Sequence, residues 1–168
     1  RIAAGVADLD GDGKADILWR GADGRVSLWS MDGLTLRATA DVGSSSTYFG
    51  IAGVADFNAD GKADILWRGA GGEIAMWLMD GATIAFGSPV IAGSSTYFGI
   101  AGIADFDGDG KADILWRGAG GEIAMWLMDG TAIAFGSPVI AGSSTYFAIA
   151  AVADFNADGK ADILWRGA

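Results

Sequence analysis

Residues 105–118 read DFDGDGKADILWRG, and this stretch decides the fold. An acidic, glycine-rich turn of nine residues runs directly into a short apolar segment. Asp and Gly are turn-forming residues, while a short run with Ile, Leu and Trp is typical of a β-strand. The ADILWRG half of the stretch occurs four times, and its tryptophans follow one another at spacings of 48, 49 and 49 residues (Trp19, Trp67, Trp116 and Trp165). The chain is therefore a tandem repeat, and the repeat must be interpreted as one structural unit.

The repeat divides the 168 residues into units at approximately 1–48, 49–97 and 98–146, with a half unit at 147–168. We treat the whole chain as one repeat domain. Residues 56–104 and 105–153 are identical at 42 of 49 positions. Such similarity indicates recent duplication or human design, and the sequence does not separate these two origins.

Each full unit is predicted to hold four β-strands. In the second unit these are 50–57, 63–69, 73–80 and 83–92, each an apolar run bounded by Gly, Asp or Ser. Both faces of the segment 73–80 are apolar, so we expect neighbouring sheets to cover both sides of it. A β-sandwich strand would show one polar face. Four short strands per repeat, covered on both faces, predict an all-β fold made of β-propeller blades.

The predicted strands number fourteen, which is about 3.5 blades. A closed propeller has four to eight blades, so 3.5 blades leave open edges and an exposed apolar face. Two chains would supply the strands of seven blades. We therefore expect a homo-oligomer, with a dimer favoured, although a fragment of a longer array is the alternative.

Composition excludes several classes of protein. The chain has no histidine and no cysteine, which excludes a disulfide framework, a thiolate zinc site and a His or Cys catalytic group. The net charge of −10 makes nucleic acid a poor partner. No apolar run is long enough to span a membrane as a helix. No pair of carboxylates or nucleophile with a base suggests catalysis, so we predict that the chain is not an enzyme.

The acidic turn is the candidate for chemistry, and it occurs once per unit between the first and second strands. Counting from Asp8 as position 1 of the first turn, oxygen-bearing side chains recur at positions 1, 3, 5 and 9, and glycine recurs at position 6. Position 7 is lysine, whose backbone carbonyl would bind the ion while its amine would point to water. Ca²⁺ takes six to eight oxygen ligands, and glycine permits the sharp turn. The predicted metal residues are Asp8, Asp10, Asp12, Lys14 and Asp16; Asp56, Asn58, Asp60, Lys62 and Asp64; Asp105, Asp107, Asp109, Lys111 and Asp113; and Asp154, Asn156, Asp158, Lys160 and Asp162.

Four copies in register favour calcium, about one ion per loop and four per chain, over a solvated Asp/Gly turn. The first and third loops carry four acids each, whereas the second and fourth have asparagine at position 3. We expect the more acidic loops to bind more tightly. Without a bidentate glutamate, affinities on the order of 10⁻⁴–10⁻³ M are expected, as in extracellular modules. This predicts a secreted or cell-surface protein.

A ligand surface is less clearly marked. Trp77 and Trp126, each followed by an aspartate near the strand end, are candidates for stacking on a sugar ring. Packing between blades is the alternative role for these tryptophans. The arginines that end the second strands (Arg20, Arg68, Arg117 and Arg166) are expected to pair with a carboxylate or to cover the blade edge. The Ser-Ser-Thr-Tyr segments are either turns or a source of hydroxyl groups.

Residues 98–115, FGIAGIADFDGDGKADIL, resemble the FG-GAP repeat and its bacterial VCBS-type relatives. The resemblance extends over nearly the whole chain. The Phe-Gly opening is matched at Phe49-Gly50 and Phe98-Gly99 and broken at Phe147-Ala148. The resemblance implies a β-propeller, often seven-bladed, with calcium in the first inter-strand loop. Integrin alpha-subunit heads and seven-bladed bacterial and fungal lectins are members of this family.

Three functions remain open from the sequence. The chain is a glycan-binding, lectin-like or adhesion module; or a structural repeat in which calcium only holds the loops; or an engineered or reconstructed self-assembling propeller repeat with no ligand other than calcium.

Overall fold

The computed structural model describes residues 1–92, 95–140 and 144–167, and every regular element in these ranges is a β-strand. None of the described residues forms a helix that could cross a membrane. The strands are β1 (Ile2–Ala7), β2 (Asp16–Arg20), β3 (Arg25–Asp32), β4 (Thr35–Ser44), β5 (Phe49–Ala55), β6 (Asp64–Gly69), β7 (Ile74–Asp80), β8 (Thr83–Gly87), β9 (Phe98–Ala104), β10 (Asp113–Gly118), β11 (Ile123–Asp129), β12 (Ala132–Gly136), β13 (Phe147–Ala153) and β14 (Asp162–Gly167).

The strands form three four-stranded antiparallel sheets, β1–β4, β5–β8 and β9–β12, and the two-stranded sheet β13–β14. In every sheet the strand order follows the sequence. The predicted fourteen strands and 3.5 propeller blades are confirmed. The chain divides into two compact units, Arg1–Ser94 and Ser95–Ala168, which are described separately below.

The fourth strand of the second unit is shorter than the sequence predicts. In the second blade it ends at Gly87 rather than at residue 92. Pro89 follows, and proline has no N–H to donate to the neighbouring strand. The chain returns to β7 only briefly, where the Ile91 N–H donates to the Ile74 carbonyl at 2.7 Å and Ala92 forms an isolated bridge to Ile74.

The core of the first unit lies between its two blades. Residues from both sheets meet in one buried cluster, which comprises Leu9, Leu18, Val26, Leu28, Ala63, Ile65, Trp67 and Met79. On β7, Ile74 and Met76 are buried on one face and Met79 on the other. The prediction that this strand is covered on both sides is therefore confirmed.

The first strands of these two blades, β1 and β5, approach closely at Gly5. A Cβ atom placed there would overlap the Val54 side chain of the next blade. Arg20, at the end of β2, lies over the ring of Trp67, with its guanidinium carbon 4.7 Å from the ring centroid. It also donates to the carbonyls of Phe49 at 2.7 Å and Ser46 at 3.1 Å. The arginine thus covers the blade edge and binds carbonyl groups.

The second unit repeats this junction between β9–β12 and β13–β14. A Cβ on Gly102 would lie 2.8 Å from the Val152 side chain. Arg117 lies over the ring of Trp165 at 5.3 Å and donates to the carbonyls of Ser144, at 2.9 Å, and Phe147. The contact between consecutive blades is therefore a conserved geometry within this chain, seen once in each unit.

Candidate metal loops

Each acidic loop is wound around the carboxylate at its first position. In the first loop, the N–H groups of Gly11 and Gly13 donate to the two oxygens of Asp8, both at 2.7 Å. Gly11 and Gly13 have φ values of 79° and 80°, in the left-handed region that glycine adopts without strain. The second loop places Ala59 in the same region, with φ of 60°. The turn is therefore kept even where its most suitable residue is absent.

The aspartate at position 9 anchors the loop to the blade. Asp16 is 0% exposed and accepts hydrogen bonds from the N–H groups of Met31 at 2.9 Å and Leu9 at 3.2 Å. Asp64 and Asp113 make the equivalent pairs with the third strand and the loop of their own blades. A buried carboxylate thus ties each of these loops to two strands.

Three predicted ligand positions come together in two of the loops. Within residues 1–92, 95–140 and 144–167, two groups of three carboxylates each bring one oxygen per residue to within 4.8 Å of the others. These triads are Asp8, Asp10 and Asp16, and Asp105, Asp107 and Asp113. Positions 1, 3 and 9 of the first and third loops therefore form an all-oxygen arrangement that can hold a metal ion.

Position 5 lies outside these triads. The Asp12 carboxylate accepts the Lys14 N–H at 2.9 Å and lies 3.3 Å from the Lys14 amine. Asp109 contacts Lys111 in the same way, at 2.8 and 3.2 Å. In this geometry the carboxylate at position 5 pairs with the lysine at position 7 and does not join the triad.

The prediction that the lysine amines point to water is wrong for Lys14, Lys62 and Lys111. The Lys14 amine lies 3.5 Å from Asp32, the Lys111 amine 3.1 Å from Asp129, and the Lys62 amine is paired with Asp80. These aspartates end the third strand of each blade, which places them beside loop position 7. The side chains remain partly exposed, so each pair contributes little to stability.

Asparagine changes the second and fourth loops. The Asn58 side-chain oxygen accepts the Asp60 N–H at 2.9 Å, and its amide donates to the Asp60 carboxylate at 3.1 Å. In the fourth loop the Asn156 oxygen accepts the Asp158 N–H at 2.8 Å. The turn is conserved, but position 3 carries no negative charge in either loop.

Burial of the ninth-position carboxylate perturbs its ionisation. Burial raises the pKa of Asp64 to about 6; the N–H groups of Met79 and Phe57 oppose this rise, while the nearby Asp60 and Asp56 charges add to it. The pKa of Asp113 is raised by burial in the same way. The ionised form is therefore destabilised in these loops, and a bound cation would relieve that cost.

Neighbouring loops within a unit are joined by a backbone hydrogen bond. The Ala63 N–H donates to the Asp8 carbonyl at 2.7 Å, and the Ala161 N–H donates to the Asp105 carbonyl at 2.7 Å. Ala63 lies between positions 7 and 9 of its loop, and Asp8 is position 1 of the preceding one. In each unit the first position of one loop is therefore in direct backbone contact with the next loop.

A family model for the FG-GAP-like repeat matches residues 8–67, 56–116 and 105–165. Each match runs from the acidic loop of one blade to the second strand of the next, and together they cover nearly all of the chain. The chain belongs to the FG-GAP-like repeat family. No curated protein matches it.

Membership of the FG-GAP-like family indicates a propeller-like binding or adhesion module. Proteins of this family are typically not enzymes, they usually occur outside the cell, and their repeats often bind calcium. The two carboxylate triads agree with such a metal role, since both lie inside the matched segments.

The candidate ligand tryptophans of these FG-GAP-like repeats lie half-buried in their blades. The Trp77 ring meets Trp67 in an edge contact, with centroids 4.7 Å apart, and Trp126 meets Trp116 at the same distance. A Cβ on Gly87 would lie 3.5 Å from the Trp77 ring, so one ring edge is covered. Packing is therefore part of their role, and glycan contact stays a prediction for the exposed part of the rings.

A tyrosine–glutamate pair is a feature of the repeats that the sequence analysis missed. The Tyr48 hydroxyl donates to the Glu73 carboxylate at 2.7 Å and accepts the Gly71 N–H at 2.9 Å. Tyr97 and Glu122 form the same pair at 2.6 Å. The hydrogen bond lowers the pKa of Glu73 and raises that of Tyr48. The recurring separation of 25 residues was the signal for this pair, and it joins the segment entering a blade to the β6–β7 or β10–β11 turn.

Proposed function

We propose that the chain is a calcium-stabilised binding module, with Ca²⁺ held in its acidic loops. The observation that carries the proposal is the pair of carboxylate triads whose oxygens lie within 4.8 Å of one another. Carboxylate oxygens are the ligands that Ca²⁺ prefers, and further oxygens from position 7 carbonyls and water complete six to eight ligands. In the first loop, Asp8, Asp10 and Asp16 would hold the ion.

The charge distribution supports a divalent cation. Of the 21 acidic residues, 14 lie in the four loops, and the chain carries a net charge of −10. Like charges that crowd within a few ångström destabilise the ionised state. Four Ca²⁺ ions would reduce the net charge to −2 and remove most of the repulsion inside the loops.

The acid count predicts two classes of site. We expect the first and third loops to bind Ca²⁺ about tenfold more tightly than the second and fourth, because affinity increases with the number of ligand charges. The measurement is a calcium titration monitored by NMR through the backbone amide signals of the glycines at position 6, which are Gly13, Gly61, Gly110 and Gly159.

A matched exchange of charges tests the cause of this ranking. Asp107→Asn should weaken the third loop to the affinity of the second, and Asn58→Asp should strengthen the second. Asp41→Asn removes an acid outside the loops and should alter neither affinity. Equal affinities in all four loops, or no response to the exchange, would contradict the proposed ligands.

We propose further that the module binds glycans through the exposed parts of Trp77 and Trp126. An aromatic ring complements the apolar face of a sugar, and the strand ends nearby present Asp80 and Asp129, whose side chains are 67% and 66% exposed. One shallow site per blade would gain avidity from repetition.

A glycan array in calcium-containing buffer tests this second step. We expect at least one class of glycan to bind, and the double variant Trp77→Leu and Trp126→Leu to lose roughly three- to tenfold per site. The double variant should still unfold cooperatively on heating and should still be stabilised by calcium, which shows that it is folded. Calcium binding without any glycan binding would favour the purely structural role.

A further inference from the structure

The junction between consecutive blades has two complementary sides, and each side recurs at equivalent positions in both units, with Leu9 replaced by Phe106 in the second. One side is the outward face of a blade, formed by a glycine on its first strand, an apolar residue at loop position 2 and a leucine on its second strand. In the first unit these are Gly5, Leu9 and Leu18, and both Leu9 and Leu18 are 0% exposed. The other side, on the next blade, is a valine and an alanine N–H, here Val54 and Ala63.

The hairpin β13–β14 presents the outward side of this junction without a cover. Leu164 is 49% exposed, whereas Leu18 and Leu115 at the equivalent position are 0% exposed. Phe155 is 55% exposed, whereas Leu9 at its equivalent position is 0% exposed. The first blade presents the opposite side, and its Val6 is 64% exposed where the equivalent Val54 contacts Gly5. The two uncovered faces are therefore the matching halves of one interface.

One residue differs from the pattern. Ala151 occupies the position held by Gly5 and Gly102 in the earlier junctions. Neither glycine has a positive φ, so the backbone does not require glycine there and the reason is space. A Cβ at Gly102 would lie 2.8 Å from Val152, closer than packed carbon atoms approach, and one at Gly5 would overlap Val54. The Cβ of Ala151 stands where the valine of a following blade would lie.

We propose that the outward face of β13–β14 is a docking face for the first blade of a second copy of this chain, and that Ala151 holds its affinity low. The second copy would place Val6 against Ala151 and donate its Ala15 N–H to the Asp154 carbonyl, as Ala161 donates to Asp105. The contact is head-to-tail, so each copy uses a different face. A head-to-tail contact of this kind extends association beyond a single pair unless it closes into a ring, and in either case the methyl group of Ala151 weakens it.

Sedimentation velocity on the 168-residue chain in calcium-containing buffer tests the proposal. Ala151→Gly should tighten self-association roughly ten- to hundredfold, because it removes the overlap with Val6. Ala148→Gly is the matched control. It also restores a glycine of the repeat, but Gly50 at the equivalent position has no atom within 4 Å of a Cβ, so no change is expected.

A second substitution identifies the opposite face. Adding Val6→Asp to Ala151→Gly should return the protein to the association state of the parent chain, and thermal unfolding shows whether each variant is folded. The proposal is overturned if Ala151→Gly associates no more tightly than Ala148→Gly, if the parent chain already associates as tightly as Ala151→Gly, or if Val6→Asp does not reverse the gain in a folded protein.

Discussion

Calcium is expected to raise the melting temperature by at least about 10 °C over the same protein in excess EDTA. An ion that binds only the folded state stabilises it by RT ln(1 + [L]/Kd), which is about 1.4–2.7 kcal/mol per site at ~10 mM Ca²⁺ for Kd values of ~10⁻³–10⁻⁴ M. Each unit contains two loops, so its unfolding free energy should increase by about 3–5 kcal/mol. Differential scanning calorimetry in the two buffers measures the shift.

The double variant Asp10→Ala and Asp107→Ala shows whether the loops are responsible. It removes the exposed member of each triad and should reduce the calcium-dependent gain in unfolding free energy by about two thirds, because the two tighter loops contribute about 2.7 kcal/mol each and the other two about 1.4 kcal/mol each at ~10 mM Ca²⁺. Asp41→Ala removes one acid from β4 and should leave the shift unchanged. A melting temperature that is equal in calcium and in EDTA would show that the loops are turns without a metal role.

The buried aspartate of the first loop should have the second large effect, and this effect does not require metal. Asp16→Ala leaves the buried N–H of Leu9 and the partly buried N–H of Met31 without their acceptor. Each orphaned donor costs about 1–3 kcal/mol, so we expect a loss of about 2–5 kcal/mol in the free energy of unfolding in EDTA. Urea unfolding in EDTA measures it, with an unchanged m-value as evidence that the transition is the same.

Two further substitutions separate geometry from charge. Asp16→Asn keeps one acceptor oxygen and should lose about half as much stability in EDTA as Asp16→Ala, while removing the response of that loop to calcium. Asp12→Ala alters a side chain that is 38% exposed and should change stability by less than about 1 kcal/mol in EDTA. An Asp16→Ala protein as stable as Asp12→Ala would mean that the anchoring hydrogen bonds are not important for stability.

The fold was predictable because the same pattern of strands and turns recurs several times in the sequence. Each acidic turn marks the end of one strand and the beginning of the next, and the apolar faces of β7 predicted cover on both sides. The end of β8 was not predictable to the residue, since Pro89 ends regular pairing while the chain still returns to Ile74 for one bridge. Strand ends depend on individual hydrogen bonds, which the hydrophobic pattern does not encode.

The candidate site was predictable in its residues and less so in its geometry. Spacing placed Asp8, Asp10 and Asp16 in one loop, and the structure brings them together. The partner of Lys14 was missed because Asp32 lies on β3, two strands away in sequence. The Tyr48–Glu73 pair was missed for the same reason, as its partners are 25 residues apart and meet only when the sheet forms.

The hydrogen bond from the Ala63 N–H to the Asp8 carbonyl makes the acidic loops part of the interface between two blades. Because this bond joins one loop to the next, an ion that fixes the shape of one loop also fixes the donor or acceptor that its neighbour needs. Loss of such an ion would then be expected to weaken this hydrogen bond between the blades as well as the loop itself. If the loops hold Ca²⁺ as proposed, the contact between two blades of a unit would therefore depend on the calcium concentration as well as on their apolar packing.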